Sequence, residues 1–131
     1  MKKLSLFFII TVCIAMHLMA QRQGQDRIDS LLGQLPKAKE DTNKVKLLID
    51  LSHTYYSINP DEGINFGKQG FALAEKLGWK KGIANADRTI GGNYGFGKSD
   101  YITALKYSLQ ALKQFEEIGD ETGTARMLSD I

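Results

Sequence analysis

Apolar residues recur at three- and four-residue steps along most of the chain, and that spacing predicts a succession of helices. Ile28, Leu31, Leu32 and Leu35 mark a short amphipathic helix over residues 26–35, closed near Gly33 and Pro36. Val45, Leu47, Leu48, Leu51 and Tyr55 mark a second, entered through the cap residues Asp41-Thr42-Asn43. A third opens at Asn59-Pro60 and runs to about Leu77 before Gly78. Asn can cap there, and proline at the first helical position gives up only a donor that would be orphaned anyway. A further pair spans residues 82–96 and 100–118, with Ser99 as the expected cap of its second helix, and another helix begins at Glu121. Strand-like alternation of useful length is absent, so the expected class is all-α.

The pattern repeats. Gly63, Gly67 and Gly70 return 41 positions later as Ala104, Ser108 and Ala111, and Leu77-Gly78 returns as Ile118-Gly119. Leu51-Ser52-x-x-Tyr55 returns 39 positions later as Ile90-Gly91-x-x-Tyr94, so the second copy has a loop two residues longer. Each glycine inside a helix costs ~1 kcal/mol relative to alanine. Three on one stripe imply that a neighbouring helix approaches closely there, with Ile64, Phe66, Phe71 and Leu73 supplying apolar surface around them. Burial at ~25 cal/mol per Å² is what holds helices too short to persist alone.

Leu/Ile-Gly/Ser-x-x-Tyr on a first helix and small-x-x-x-small-x-x-small on a second resembles the tetratricopeptide repeat, in a long-period variant. The clearer match is Ile90, Gly91 and Tyr94 with Ala104, Ser108 and Ala111; the other is Leu51, Ser52 and Tyr55 with Gly63, Gly67 and Gly70. The chain departs from the usual form in its period, near 40 against about 34. Gly78 and Gly119 replace the usual closing proline, and Leu48 and Asp87 stand where the first helix usually has tryptophan. The resemblance implies an α-solenoid of antiparallel helix pairs wound as a right-handed superhelix. Its repeats would span residues 41–80 and 81–120, with a truncated third from 121, after a lead-in over 21–40. The lead-in, Asp29 to Ala38, is similar to the openings of extracytoplasmic sensor regions of bacterial signalling proteins.

Residues 1–20 read as a secretory signal: Lys2 and Lys3, an apolar run from Leu4 to Met19, then polar residues from Gln21, with cleavage expected after Ala20. The run is short for a membrane span. Val12 before Cys13 argues against a lipoprotein signal. Export changes the charge picture: without Lys2 and Lys3 the chain has 15 basic and 15 acidic residues. No basic stripe for nucleic acid remains. Nor does any cysteine remain, and His53 is the one histidine left, so neither thiol chemistry nor a His/Cys metal site is expected. No cofactor is expected.

Gly92 to Ser99 fits the phosphate-loop pattern G-x-x-x-x-G-K-S. That loop needs a buried strand before it and a helix after it. Residues 82–88 instead carry an amphipathic helical pattern, and the repeat already accounts for Gly91, Tyr94 and the turn at Lys98. A phosphate-loop nucleotide-binding protein is therefore the weakest functional reading. Glu116-Glu117 reads as a solvated helix face, and Trp79, just past a helix end, as an anchor for a partner or as packing over the Gly78 turn.

In such repeats the first helices line a concave groove where peptides lie. Counting from the two tyrosines, the groove would hold Lys46, Ile49, His53 and Tyr56, with Asn85, Arg88 and Gly92 beside them; Lys46, His53, Tyr56, Asn85 and Arg88 are the candidate partner-binding residues. Family members that clamp a terminal carboxylate use Lys and Asn where this chain has Ile49 and Gly92, so a chaperone-tail receptor is not expected. The resemblance thus implies a non-enzymatic, exported (periplasmic or secreted) module that binds protein or peptide partners. An alternative is the sensor region of a longer signalling protein: a histidine kinase, nucleotide cyclase or transcriptional regulator. The repeat pattern breaks off at Ile131, which aligns with Ile90, so a longer array, a downstream membrane span or a homodimer covering the last helix are further expectations.

Overall fold

The computed structural model describes the backbone of residues 2–131 and, within the first 21, the side chains of residues 8–13, 16 and 19. Six α-helices follow one another: α1 (Lys2–Gln34), α2 (Thr42–Thr54), α3 (Pro60–Lys76), α4 (Lys80–Gly92), α5 (Tyr101–Glu117) and α6 (Glu121–Asp130). A 3-10 turn, Leu35–Lys37, follows α1, and a π turn, Asn93–Gly97, follows α4. There is no strand among the described residues. The short helix expected over 26–35 is the C-terminal end of the much longer α1. It ends where expected, ahead of Pro36, because proline cannot continue a helix.

The starts of α2, α3, α5 and α6 are capped by side chains, whereas α4, entered through Trp79, has no side-chain cap. Asp41 accepts from the backbone N–H of Asn43 and Lys44, Asn59 from Glu62, Asp100 from Thr103 and Asp120 from Gly123. The cap of α5 is thus Asp100 and not Ser99, which sits at φ 56° one residue earlier, in the left-handed region. Asp100→Ala should lower stability by ~1 kcal/mol in urea unfolding, the usual worth of such a cap. Ser99→Ala should change it far less, and a larger loss there would refute the assignment.

Gly78 and Gly119 end α3 and α5 in the same way, at φ 64° and 69°. Trp79 N–H donates to Ala74 O and Gly78 N–H to Glu75 O; Asp120 N–H donates to Phe115 O and Gly119 N–H to Glu116 O. These paired bonds close a helix through a left-handed residue, for which glycine is best suited. The likeness of the copies extends to side chains. Tyr55 stacks on Phe66 with ring centroids 5.7 Å apart and planes at 9°, and Tyr94 stacks on Tyr107 with the same 5.7 Å and 9°.

Packing joins each helix to the next, and α2 also meets α4. The glycine stripe of α3 lies in this interface. A Cβ on Gly63 would overlap the Asn93 amide, and one on Gly67 would stand 2.6 Å from Ile90 Cγ1 and 2.9 Å from Ser52 Oγ. Asn93 ties the layers together: its amide donates to Ser52 O at 2.9 Å and to Thr89 O at 2.9 Å. Three apolar clusters fill the interior. Ile28 and Leu31 of α1 meet Leu51; Val45 and Ile49 meet Ala74 and Ala86; Ala84 and Ala111 meet Phe115 and Met127. Trp79 is half-buried against the middle cluster, so it packs beside the turn.

The expected export signal, residues 1–20, falls partly outside the described residues. Its described apolar side chains, Phe8, Ile9, Ile10, Val12, Met16 and Met19, are exposed. No helix among the described residues is long and apolar enough to cross a membrane.

Candidate functional site

A cavity of about 500 Å³ opens among the C-terminal ends of α2 and α4, the π turn, the first half of α5 and the end of α6. Its size falls in the ordinary range for a ligand pocket. Small residues line it: Gly91, Gly92 and Gly95 of α4 and the π turn, which pack closely on their neighbours, and Ala104 and Ser108 of α5. A Cβ on Gly91 would come within 3.2 Å of Ala104 O, and one on Gly92 would collide with the Tyr56 phenol. The wall is therefore built from positions where a larger residue would not fit.

Polar groups gather on one side. The Arg88 guanidinium reaches Asp130 at 4.0 Å, Nη1 to Oδ2, while its Nε is buried without a hydrogen-bond partner. His53 leans on Tyr56 with ring centroids 4.8 Å apart, and Tyr56 on Phe96 at 6.2 Å. Loss of hydration lowers the His53 pKa, and the positive charge of Arg88 lowers it further. The imidazole is accordingly neutral at pH 7. Burial pushes the Tyr56 phenol up to about 12, with Arg88 opposing, so Tyr56 stays a hydroxyl donor and acceptor. Phe96, Tyr101 and Leu105 supply an exposed apolar rim.

Three of the residues expected in a groove, His53, Tyr56 and Arg88, are brought together here, with Gly92. Lys46 and Asn85 are not. Lys46 lies over the Trp79 ring, 5.9 Å from its centroid, and Asn85 donates to Lys81 O within its own helix. Ile49, also expected in the groove, is buried among Val45, Ala74 and Ala86. The reason is geometric: α2 is covered by α1, α3 and α4 together, so its buried arc is wider than a single stripe. Phe96, Tyr101 and Leu105 are not among the expected site residues; the available signal is the run of small residues Gly91, Gly92 and Gly95, which only the fold brings from α4 and the π turn to α5.

Compared with protein-family profiles, characterised proteins and solved structures, the chain matches none.

Among the described residues, no group of three or more His, Cys, Asp or Glu side chains converges as a metal site would require. The segment matching the phosphate-loop pattern is preceded by the helix α4 and begins with the π turn, so its amides are not set between a strand and a helix. Lys98, which would face the phosphates, pairs with Asp61 of α3, whose carboxylate raises the lysine pKa.

Proposed function

We propose that this chain is a non-catalytic interaction module of the tetratricopeptide type, exported from the cell, which binds protein or peptide segments against the ends of its first helices. The observation that carries the reading is the repetition of local contacts at offsets of 39 and 41 residues. The same ring stack, helix cap and glycine closure recur in α2–α3 and α4–α5. Such units stack because none can bury its apolar face alone, and stacking leaves a continuous surface suited to extended partners. The cavity at His53, Tyr56 and Arg88 is the part of that surface we assign to a partner, since it joins an apolar rim to a guanidinium whose buried Nε–H has no partner. Export rests on the charge, apolar-run and polar order of residues 1–25, and on Ile28 being the first buried residue of α1 among the described ones.

A random-peptide display selection on the immobilised chain tests the reading. Selected peptides should bind saturably, and His53→Ala and Arg88→Gln should each weaken them at least about fivefold, ~1 kcal/mol of contact. Selection that enriches no sequence, or binders indifferent to both substitutions, would overturn it.

A further inference from the structure

Cleavage after Ala20 puts a glutamine, Gln21, at the amino end of the mature chain. The contacts that seat α1 lie further on. At Gly24 the helix comes close to the body of the fold, where a Cβ would stand 2.8 Å from Ile58 Cδ1. Arg27 pairs with Asp50 at 3.9 Å, and Ile28 and Leu31 are buried against Leu51. Arg22 and Gln23, just ahead of these contacts, are exposed. A chain that starts at Gln21 therefore keeps what holds α1 in place and presents a free amine beyond it. As a charge, that amine is poorly placed. Residues 21–25 include Arg22 and no acid, so amine and guanidinium would both sit at a helix start, where the backbone dipoles disfavour positive charge. The first turn of α3, by contrast, carries Asp61 and Glu62.

We propose that the mature chain is modified at residue 21, where the new amine of Gln21 closes on its own carboxamide to give pyroglutamate. The proposal rests on the export reading above and names the modification that follows export. The amine nitrogen attacks Cδ, so that a C–N bond forms and the Cδ–Nε2 bond breaks. The amide nitrogen leaves as ammonia and carries off the proton that the attacking amine gives up. No oxidant, reductant or co-reactant is consumed. The product is a neutral lactam, and the helix start loses one of its two positive charges. The closed ring also removes the free amine that aminopeptidases require. It thereby shields the exposed residues ahead of Gly24, at the kind of chain end where trimming otherwise concentrates.

The test is mass spectrometry of the protein recovered from its source cells. Free amines are labelled first, so that no ring closing during handling is counted, and the chain is then cut ahead of Asp26. The peptide of residues 21–25 should be lighter by one ammonia than Gln-Arg-Gln-Gly-Gln and should carry no label. Treatment of the intact protein with a pyroglutamyl peptidase should expose Arg22 as a labelled terminus. Gln21→Ala, expressed in the same cells, should start with a labelled amine and lose its first residues to an added aminopeptidase that leaves the parent whole. A labelled Gln21 in the parent overturns the proposal and leaves export standing, as does a cut at a neighbouring position. A chain that still begins at Met1 overturns the proposal and the export reading together.

Discussion

Gly67→Leu should unfold most of the protein under conditions where the parent chain is stable. A Cβ at residue 67 already meets Ile90 Cγ1 at 2.6 Å and Ser52 Oγ at 2.9 Å, and leucine adds three more carbons in the same direction. Ile90 cannot retreat, being buried in the interface of α3 with α4. Overpacking of this kind costs about 1–3 kcal/mol, and more where the backbone must move. The better helix propensity of leucine returns only ~1 kcal/mol of it. Gly33→Ala is the control: nothing lies within 4 Å of a Cβ there, so the same gain in propensity acts unopposed and the protein should become slightly more stable. Thermal unfolding followed by circular dichroism separates the two. If Gly67→Leu melts at the parent temperature, the close approach of α3 to α4 is not what those glycines are for.

The second large effect is a dependence on pH carried by Asp87. This carboxyl is 3 % exposed between α4 and α5, and accepts one hydrogen bond, from Gln114 Nε2 at 2.9 Å. Burial raises its pKa to about 6 from 3.8, with the charge of Glu75 adding to the rise and the Gln114 bond opposing it. Below pH ~4 the folded and unfolded chains both hold the proton and there is no penalty. Between pH ~4 and ~6 the folded chain keeps a proton that the unfolded chain has released, so stability falls as pH rises. Above about 6 the loss is complete, roughly 3 kcal/mol from a shift of this size. His53 works against this: its lowered pKa makes the fold gain stability as pH rises through the histidine range. The clean measurement is therefore the difference between the parent and Asp87→Asn. Asparagine keeps the acceptor for Gln114 Nε2 and offers a donor to Gln114 Oε1, which is buried without a partner. The Asn variant should match the parent near pH 4 and exceed it by about 2–3 kcal/mol at pH 7.5. A gap that stays constant between those values sinks the assignment.

Asp87 also shows how far the amino-acid order could be read. Its acidic side chain, where the resembled repeat usually has tryptophan, is visible in the string of residues, but its depth is not, because that depends on α5 closing over α4. Helix boundaries were legible wherever a local rule set them. Asn59-Pro60 opens α3, and Gly78 and Gly119 close α3 and α5, by bonds that span only a few residues. The small-residue stripe was legible as well, since its spacing alone puts Gly63, Gly67 and Gly70 on one face. What failed depended on more than one helix. Ser99 and Asp100 are both residue types that cap well, and which of them caps α5 turns on the left-handed backbone at Ser99. Ile49 was placed in a groove that packing by three neighbours closes over it. The π turn had no signal beyond its glycines.

The main contacts of each helix go to its neighbours along the chain, with the α2–α4 contact the longest step. Order of assembly follows from that. No distant segment has to be found before a unit can close, so loop-closure entropy stays small and folding should be quick for a chain of this size. Loss of order is equally local. Opening α3 or α4 breaks at least two principal interfaces, so disorder in either helix reaches its neighbours on both sides. The cavity is lined by α2, α4, α5 and α6 together, so its shape depends on four helices keeping their places at once.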